Sequence, residues 1–528
     1  MTILSAVTVF VAAVAPGLID SGSPLALLRL PLDCLVVIVV LVVLPWRWAR
    51  RTVASVAAAL LVAATVLAGL DRVFLATVGR PFDVVSGWSE LGDGYGVVTD
   101  SAGSAGALAL LVLVAILAAA ATIAIAALLL RLARVLALRR RASLIGASAL
   151  TAGWLVLALV GAQLVAGEPV AAADSVSAAT ASVGQVEVAA RDRAVFERSA
   201  ASDPYAQLPA ADLLTGLKGK DVLVVFVESY GQVAVQGTSF SPGVDAVLRR
   251  GNTDLAAHGY SERSAFLTSS TFGGISWLAH STLQTGLWID SQQKYDQVTS
   301  TTRFTLSDAF RKAGWQTLSD VPSDTEPWPV GSSFYHFGKQ LNATNVGYRG
   351  PRFSYARVPD QYTWAYLQQH ELGVPHAPLM AEIDLVSSHT PWTPLPRLLP
   401  WDAIGDGSVY DPQPGEGLAP GVVWQDPRHV QQLYGRSVEY TMGALFSFLT
   451  AFDDPNLVVV VLGDHQPATV VSGVGANHEV PISIIAKDPT VIDRIGSWKW
   501  QPGVLPTSTA PVWRMDAFRD RFLAAYGP

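Results

Sequence analysis

"LVVVVLGDHQP", Leu457 to Pro467, is a run of apolar strand formers that stops at Gly463-Asp464-His465. An unbroken run of this kind reads as a strand covered on both faces, the pattern of a parallel sheet inside an α/β domain. In open α/β sheets, sites gather at the carboxyl ends of the strands. Asp464 and His465 would stand on such an end. Taken alone, the pair is equally an Asx turn followed by a surface imidazole. Its meaning therefore depends on what else the chain brings to strand ends.

Several other runs have the same character. "DVLVVFVESYG" begins at Asp221 and closes on Glu228. "GWQTLSDV" (314–321), "APLMAEIDLVSSH" (377–389) and "VPISIIAK" (480–487) also read as strands, with a helical pattern around 428–451. Strands alternating with helices predict a mostly parallel, doubly wound sheet with helices on both faces.

The first third of the chain reads differently. Hydrophobic residues make up 50% of the 528 positions and charged residues 15%, and the apolar excess lies at the front. Five stretches approach the length of a bilayer-crossing helix: about 3–19, 30–46, 53–70, 105–130 and 143–167. The first carries Pro16 and lacks a basic leader, which argues against a cleaved signal peptide. Arg47, Arg50 and Arg51 follow the second stretch, and Arg131, Arg134, Arg139, Arg140 and Arg141 follow the fourth. The positive-inside rule makes both loops cytoplasmic. Asp71, Asp83, Glu90, Asp93 and Asp100 outnumber Arg72 and Arg80 between them, as suits an outer loop. The chain then leaves the fifth stretch on the outside of the cell membrane.

These features divide the chain into a transmembrane domain (1–167), an Ala/Ser-rich linker with a charged helical patch at 190–200 (168–218), and an extracytoplasmic α/β domain (219–528). A net charge of -7 without a basic stripe gives no sign of a nucleic-acid partner. The single cysteine, Cys34, excludes a disulfide framework and a cysteine zinc site.

Chemistry-bearing residues collect at the predicted strand termini. Glu228 ends one strand, Asp464 and His465 end another, His389 follows a third in "SSHTPW", and His478 precedes a fourth in "NHEVP". With nine histidines in the chain, this grouping is unexpected for ordinary loop residues. Two carboxylates with imidazole suit Zn²⁺ or Mn²⁺ better than Ca²⁺. A hydroxyl nucleophile is sought in "TSSTFGGISWLAHSTLQTG", Thr268 to Gly286, where small and glycine residues lead into a helical pattern. A hydroxyl in a first helical turn faces free N–H groups, and metal coordination would activate it. The same stretch is also an ordinary N-cap.

Together these residues resemble the alkaline phosphatase/sulfatase superfamily, most closely its membrane-anchored lipoteichoic acid synthases and phosphoethanolamine transferases. The resemblance implies the same fold, with Glu228 as the first metal carboxylate and Asp464-His465 as the Asp-His metal pair. It implies that His389 and His478 contact the transferred phosphate group and that Trp328, in "EPWPVGSSFYHFG", lines a head-group pocket. Lipoteichoic acid synthases follow that tryptophan closely with an arginine; here Pro329 and Val330 follow. Counting back from Thr285-Gly286, as in sulfatases, reaches Ser276, which would also bind the metal; Thr271 in "SSTFGG" competes, since lipoteichoic acid synthases use threonine. Sulfatase chemistry itself lacks its Cys/Ser-x-Pro-x-Arg context here. The expected activity is transfer of a phospho-head group from a membrane lipid to a glycan or lipid acceptor of the envelope. It would run through a Ser- or Thr-bound intermediate with one divalent ion, manganese or zinc, then magnesium. The alternatives are a phosphodiesterase- or sulfatase-like hydrolase and a non-catalytic envelope protein.

Overall fold

The computed structural model describes residues 2–84, 87–165, 168–172 and 191–528. The chain separates into two compact units, Met1–Leu75 with Arg80–Asp192, and Ala76–Gly79 with Arg193–Pro528.

The first unit is helical: α1 (Thr2–Ser21), α2 (Leu32–Val43), α3 (Arg47–Thr77), α4 (Gly87–Ala137) and α5 (Arg140–Leu159). Among the described residues, four helices are long and apolar enough to cross a membrane: α1, α3, the Ser104–Ala137 part of α4, and α5. The expected second span is a correction. At 1.5 Å per residue α2 reaches about 18 Å, short of the ~30 Å hydrocarbon core. Prolines clip it at both ends: Pro31 precedes the helix, and Leu44, before Pro45, takes the extended backbone (ψ 125°) that proline imposes on its predecessor. The fifth segment also ends earlier than the expected residue 167. Gly161 turns the backbone to φ 63°, and Gln163–Val165 then pairs with Glu168–Pro169. Small residues mediate helix contacts in this unit, with Ala54, Ala57 and Ala58 packed in one cluster with Ala126 and Ala133. Leu111, Val114 and Leu117 of α4 are exposed, as on a lipid-facing surface. Part of the expected linker, 173–190, lies outside the described residues; a helix, α6, covers 191–201.

The second unit is built on a mixed sheet, nine-stranded among the described residues. Its strands are β1 (Asp221–Val227), β2 (Ser261–Thr268), β3 (Gln316–Val321), β4 (Lys339–Asn342), β5 (Leu379–Leu385), β6 (Leu457–Gly463), β7 (Glu479–Ala486), β8 (Gln501–Pro502) and β9 (Val512–Arg514). The order is β8-β2-β7-β6-β1-β5-β3-β4, with β9 beside β2. From β6 to β4 all pairings are parallel, whereas β7 runs antiparallel to both β6 and β2. β1 and β6 are buried at every position, which is why both read as continuous apolar runs.

Alternation along the strands sorts side chains onto two cores. Leu223, Val225 and Val227 face one core with α7 (Ser241–Ala257) and α9 (Pro427–Phe452). Val222, Val224 and Phe226 face the other, under α8 (Ser276–Thr285), whose Leu278, Ala279 and Leu283 pack there. Helix α9 presents Val430, Tyr434, Val438 and Leu445 inward at helical spacing and is capped by Asp426, which accepts the Arg428 N–H at 3.0 Å. Each fully buried aliphatic side chain contributes about 1.5–3 kcal/mol of transfer free energy, so these strands are fixed and their carboxyl ends are rigid.

Candidate metal centre at the strand ends

The parity that sends Phe226 to the α8 face also sends Glu228 there, and Leu462 on the same core puts Asp464 beside it. The parallel register joins Gly463 to Val227, so the two strands end level and their terminal side chains meet. One ligand atom each from Glu228, Asp464 and His465 lies within 4.8 Å of the others.

Each ligand atom is turned inward by a neighbour. Asp464 Oδ1 accepts the main-chain N–H of Ser229 and of His465, both at 2.7 Å. That leaves Oδ2 facing His465 Nε2 at 3.5 Å. The Gln466 carbonyl, 2.9 Å from His465 Nδ1, can only accept. Nδ1 therefore carries the proton and Nε2 keeps a lone pair for a cation. Ser229 Oγ donates to Glu228 Oε1 at 2.7 Å, and His465 Nε2 stands 3.6 Å from that oxygen. Separations of 3.5–3.6 Å exceed a hydrogen bond but match the edge between two ligands held about 2.1 Å from a tetrahedral ion.

Ser276 completes the group. It opens α8, and its Oγ donates to Glu228 Oε2 at 3.1 Å and lies 3.2 Å from His465 Nε2. The turn that delivers it is strained. Gly273 has φ 71°, and Ile275, β-branched, sits at φ 64° immediately before Ser276. Ser229, immediately after Glu228, is also left-handed at φ 57°. Thr271 is buried on the same loop, and its Oγ1 makes no hydrogen bond, to Glu228, Asp464, His465 or any other group.

The electrostatics fit a cation. Burial opposes ionisation of Glu228, but the His389 and His465 rings and the hydrogen bond from Ser229 outweigh it and hold the carboxyl down. Burial and the Glu228 charge push Asp464 up, against His465, His280 and Ser276. Two desolvated carboxylates that repel each other, flanked by an imidazole lone pair and a hydroxyl, are a donor set for a divalent ion.

His389 stacks on Tyr355 with ring centroids 3.5 Å apart, and its Nδ1 lies 2.6 Å from the Thr390 carbonyl, which fixes the proton on Nδ1 and frees Nε2. Burial lowers its pKa, opposed by the Glu228 charge. His478 tilts against Phe272 (5.3 Å), and burial lowers its pKa against hydrogen bonds with the main chain of Ser269 and Thr271. Trp328 belongs to a different group, packed on Tyr335 (5.3 Å) and Phe337 (6.2 Å).

A second grouping escaped sequence reading: His280 on α8, with Glu382 and Asp384 on β5, has ligand atoms within 4.8 Å of one another. The signal was present in "AEIDL", where acids two apart on a buried strand must share a face. The Asp384 carboxyl is pushed up to about 7, by burial first and then by Glu382, Asp464 and Glu228, against the pull of His280.

The α/β sheet thus presents a carboxylate–carboxylate–imidazole–hydroxyl set at parallel strand ends, a donor set suited to a divalent ion. No family model matches the chain, and no curated protein does. Among solved structures, the chain is similar to the integral membrane lipooligosaccharide phosphoethanolamine transferase A of Neisseria meningitidis (11% identity, TM-score 0.42, covering 98% of this chain and 95% of that one). It is also similar to the Streptococcus pyogenes phosphoglycerol transferase GacH (14%, TM-score 0.38, 63% and 79%). A third is the lipoteichoic acid synthase LtaP of Listeria monocytogenes (14%, TM-score 0.35, 60% and 76%). Likeness at these TM-scores carries no argument about activity, which rests on the side chains described above.

Proposed function

We propose that the protein is a membrane-anchored, metal-dependent phosphotransferase that moves a phospho-head group from a membrane lipid to a hydroxyl acceptor of the cell envelope. The observation that carries this reading is the meeting of Ser276 Oγ with Glu228 and His465 at 3.1 and 3.2 Å at the N-terminus of α8. Glu228, Asp464, His465 and Ser276 would hold one manganese or zinc ion. When bound, that ion supplies Lewis-acid chemistry, lowering the hydroxyl pKa and drawing off phosphate charge.

The chain's own groups do the rest. Ser276 Oγ attacks phosphorus; the Ser–O–P bond forms as the bond to the lipid alcohol breaks, and the alcohol leaves with a proton. The free N–H groups of the first turn of α8 face the phosphate oxygens. His389 and His478 flank the phosphate, and His389 Nε2, free of a proton, takes one from the acceptor hydroxyl. The acceptor oxygen then bonds to phosphorus while Ser276 Oγ leaves and recovers its proton.

The arginines at the start of α3 and the α4–α5 junction support an extracytoplasmic site. α3 then runs outward, α4 inward and α5 outward, whatever α1 and α2 do.

The experiment is product analysis with a phospholipid labelled in its head group. Label on a non-water acceptor, together with a phosphorylated Ser276 peptide trapped by acid quench, supports the proposal. Release of free head group alone makes the protein a hydrolase. No turnover in the metal-loaded protein ends the enzymatic reading.

A further inference from the structure

We infer that His280, Glu382 and Asp384 form a second divalent-metal centre, next to the Glu228 grouping but built from its own ligands. It would take a transition ion of the Mn²⁺ or Zn²⁺ class, which one imidazole and two carboxylates favour. This inference does not depend on the transferase reading.

Three observations carry it. The spacing repeats that of the first grouping: His280 Nδ1 lies 3.5 Å from Glu382 Oε1 and 3.6 Å from Asp384 Oδ1. Both separations match a ligand–ligand edge. The donors are also held in place from behind. Gln284, one turn after His280, donates to the other oxygen of Glu382 and accepts the Ser307 N–H at 3.0 Å, so Oε1 is left to face the imidazole. Phe226 stacks flat on the His280 ring at 3.8 Å and 13°, fixing its plane. Supporting partners of this kind are what orient metal ligands.

The independent observation is Ser319. Its side chain is 2% exposed, and its Oγ has no hydrogen-bond partner. β3 pairs with β5 so that Ser319 stands opposite Glu382, and paired residues share a face of the sheet. A buried hydroxyl directed to the face that carries both carboxylates, with nothing to bind, is a fourth donor for an ion or for a water on that ion.

Charge counting agrees. Asp384 lies within the reach of the Glu382, Asp464 and Glu228 charges, and Asp464 within that of Glu228, across the strand ends. One divalent ion at Glu228 would leave Glu382 and Asp384 with only the imidazole between them. A second ion there would tie α8 to β5 one turn beyond Ser276, and so set the position of the nucleophile.

The test is equilibrium dialysis of the full-length protein in detergent, stripped with EDTA and then saturated with Mn²⁺, with metal counted by elemental analysis. The wild type should hold two ions per chain, and His280→Gln, Asp384→Asn and Glu228→Gln one each. The ion retained in each variant also shows that it is folded. A wild type with one ion that His280→Gln keeps overturns the inference, as does a His280→Gln protein that still holds two. If the wild type holds one ion that survives Glu228→Gln but goes with His280→Gln, the second centre stands and the reading of the first falls.

Discussion

The Glu228 and His280 groupings use the same donors at the same spacing, yet they differ in the hydroxyl each one has. Ser276 stands at the first turn of α8, after two glycines and a strained isoleucine, with free N–H groups around it. Ser319 sits within β3, walled by its neighbours, with no helix terminus to receive a phosphate. Shared ligand chemistry therefore does not make two reactive sites. A hydroxyl placed where phosphorus can approach makes one, and the other is suited to holding an ion in place.

The largest effect that can break this contrast lies in the first grouping. Asp464→Asn removes both a ligand oxygen and the charge that orients it, and transfer should fall by about 10³-fold or more, the scale of losing a preorganised electrostatic group. Ser276→Ala should match it, with the trapped phosphopeptide gone, while Thr271→Ala stays within about threefold because its hydroxyl makes no hydrogen bond to any of the ligands. Initial rates with labelled lipid check all three; a Thr271→Ala loss equal to that of Ser276→Ala would move the nucleophile. By contrast, His280→Gln leaves the reacting atoms alone. Its rate should drop about 10–100-fold, as for positioning partners of a metal site.

His389 acts on the acceptor hydroxyl and adds a dependence on pH. Removing a general base costs about 10²–10⁴-fold. Burial lowers its pKa, so the neutral ring persists below the usual histidine range and protonates only in more acidic solution. The rate should therefore fall as pH drops through that lowered value, and His389→Ala should lose this acid limb along with its rate. A pH–rate profile of both proteins decides the point; an unchanged limb in the variant would assign it to another group.

How much of this was legible in the sequence follows from the same physics. β1 and β6 announced themselves because strands covered on both faces cannot afford polar residues, and their ends then pointed to Glu228, Asp464 and His465. Strand β2, "SERSAFLT", carries no such apolar run: its polar residues pair at the side of the sheet with β7, β8 and β9. The antiparallel course of β7 has no signature in its own residues. α2 resembles a span by apolar length alone, and the prolines that flank it shorten the helix. The His280 grouping stayed hidden because it joins a helix to a strand about a hundred residues on, and only the register of β3, β5 and α8 brings them together.

Asp320 gives the mildest test, and it isolates what a carboxyl does here without a cation. It lies on β3 next to Ser319, is 1% exposed, and neither of its oxygens has a hydrogen-bond partner. Burial above all, then the charges of Asp384 and Glu371, push it up to about 8, so the folded protein holds this proton through neutral pH. An unfolded chain releases it near 4. Between those values the unfolded state binds fewer protons, so stability falls as pH rises, by up to about 1.4 kcal/mol per pH unit from this group, and levels off above 8. Asp320→Asn removes that dependence while keeping the shape. Thermal midpoints of the full-length protein in detergent should then converge at pH 5 and favour the variant at pH 8. If the wild type is instead the more stable at pH 8, Asp320 is ionised in the fold, and a cation must reach this face of β3 as well.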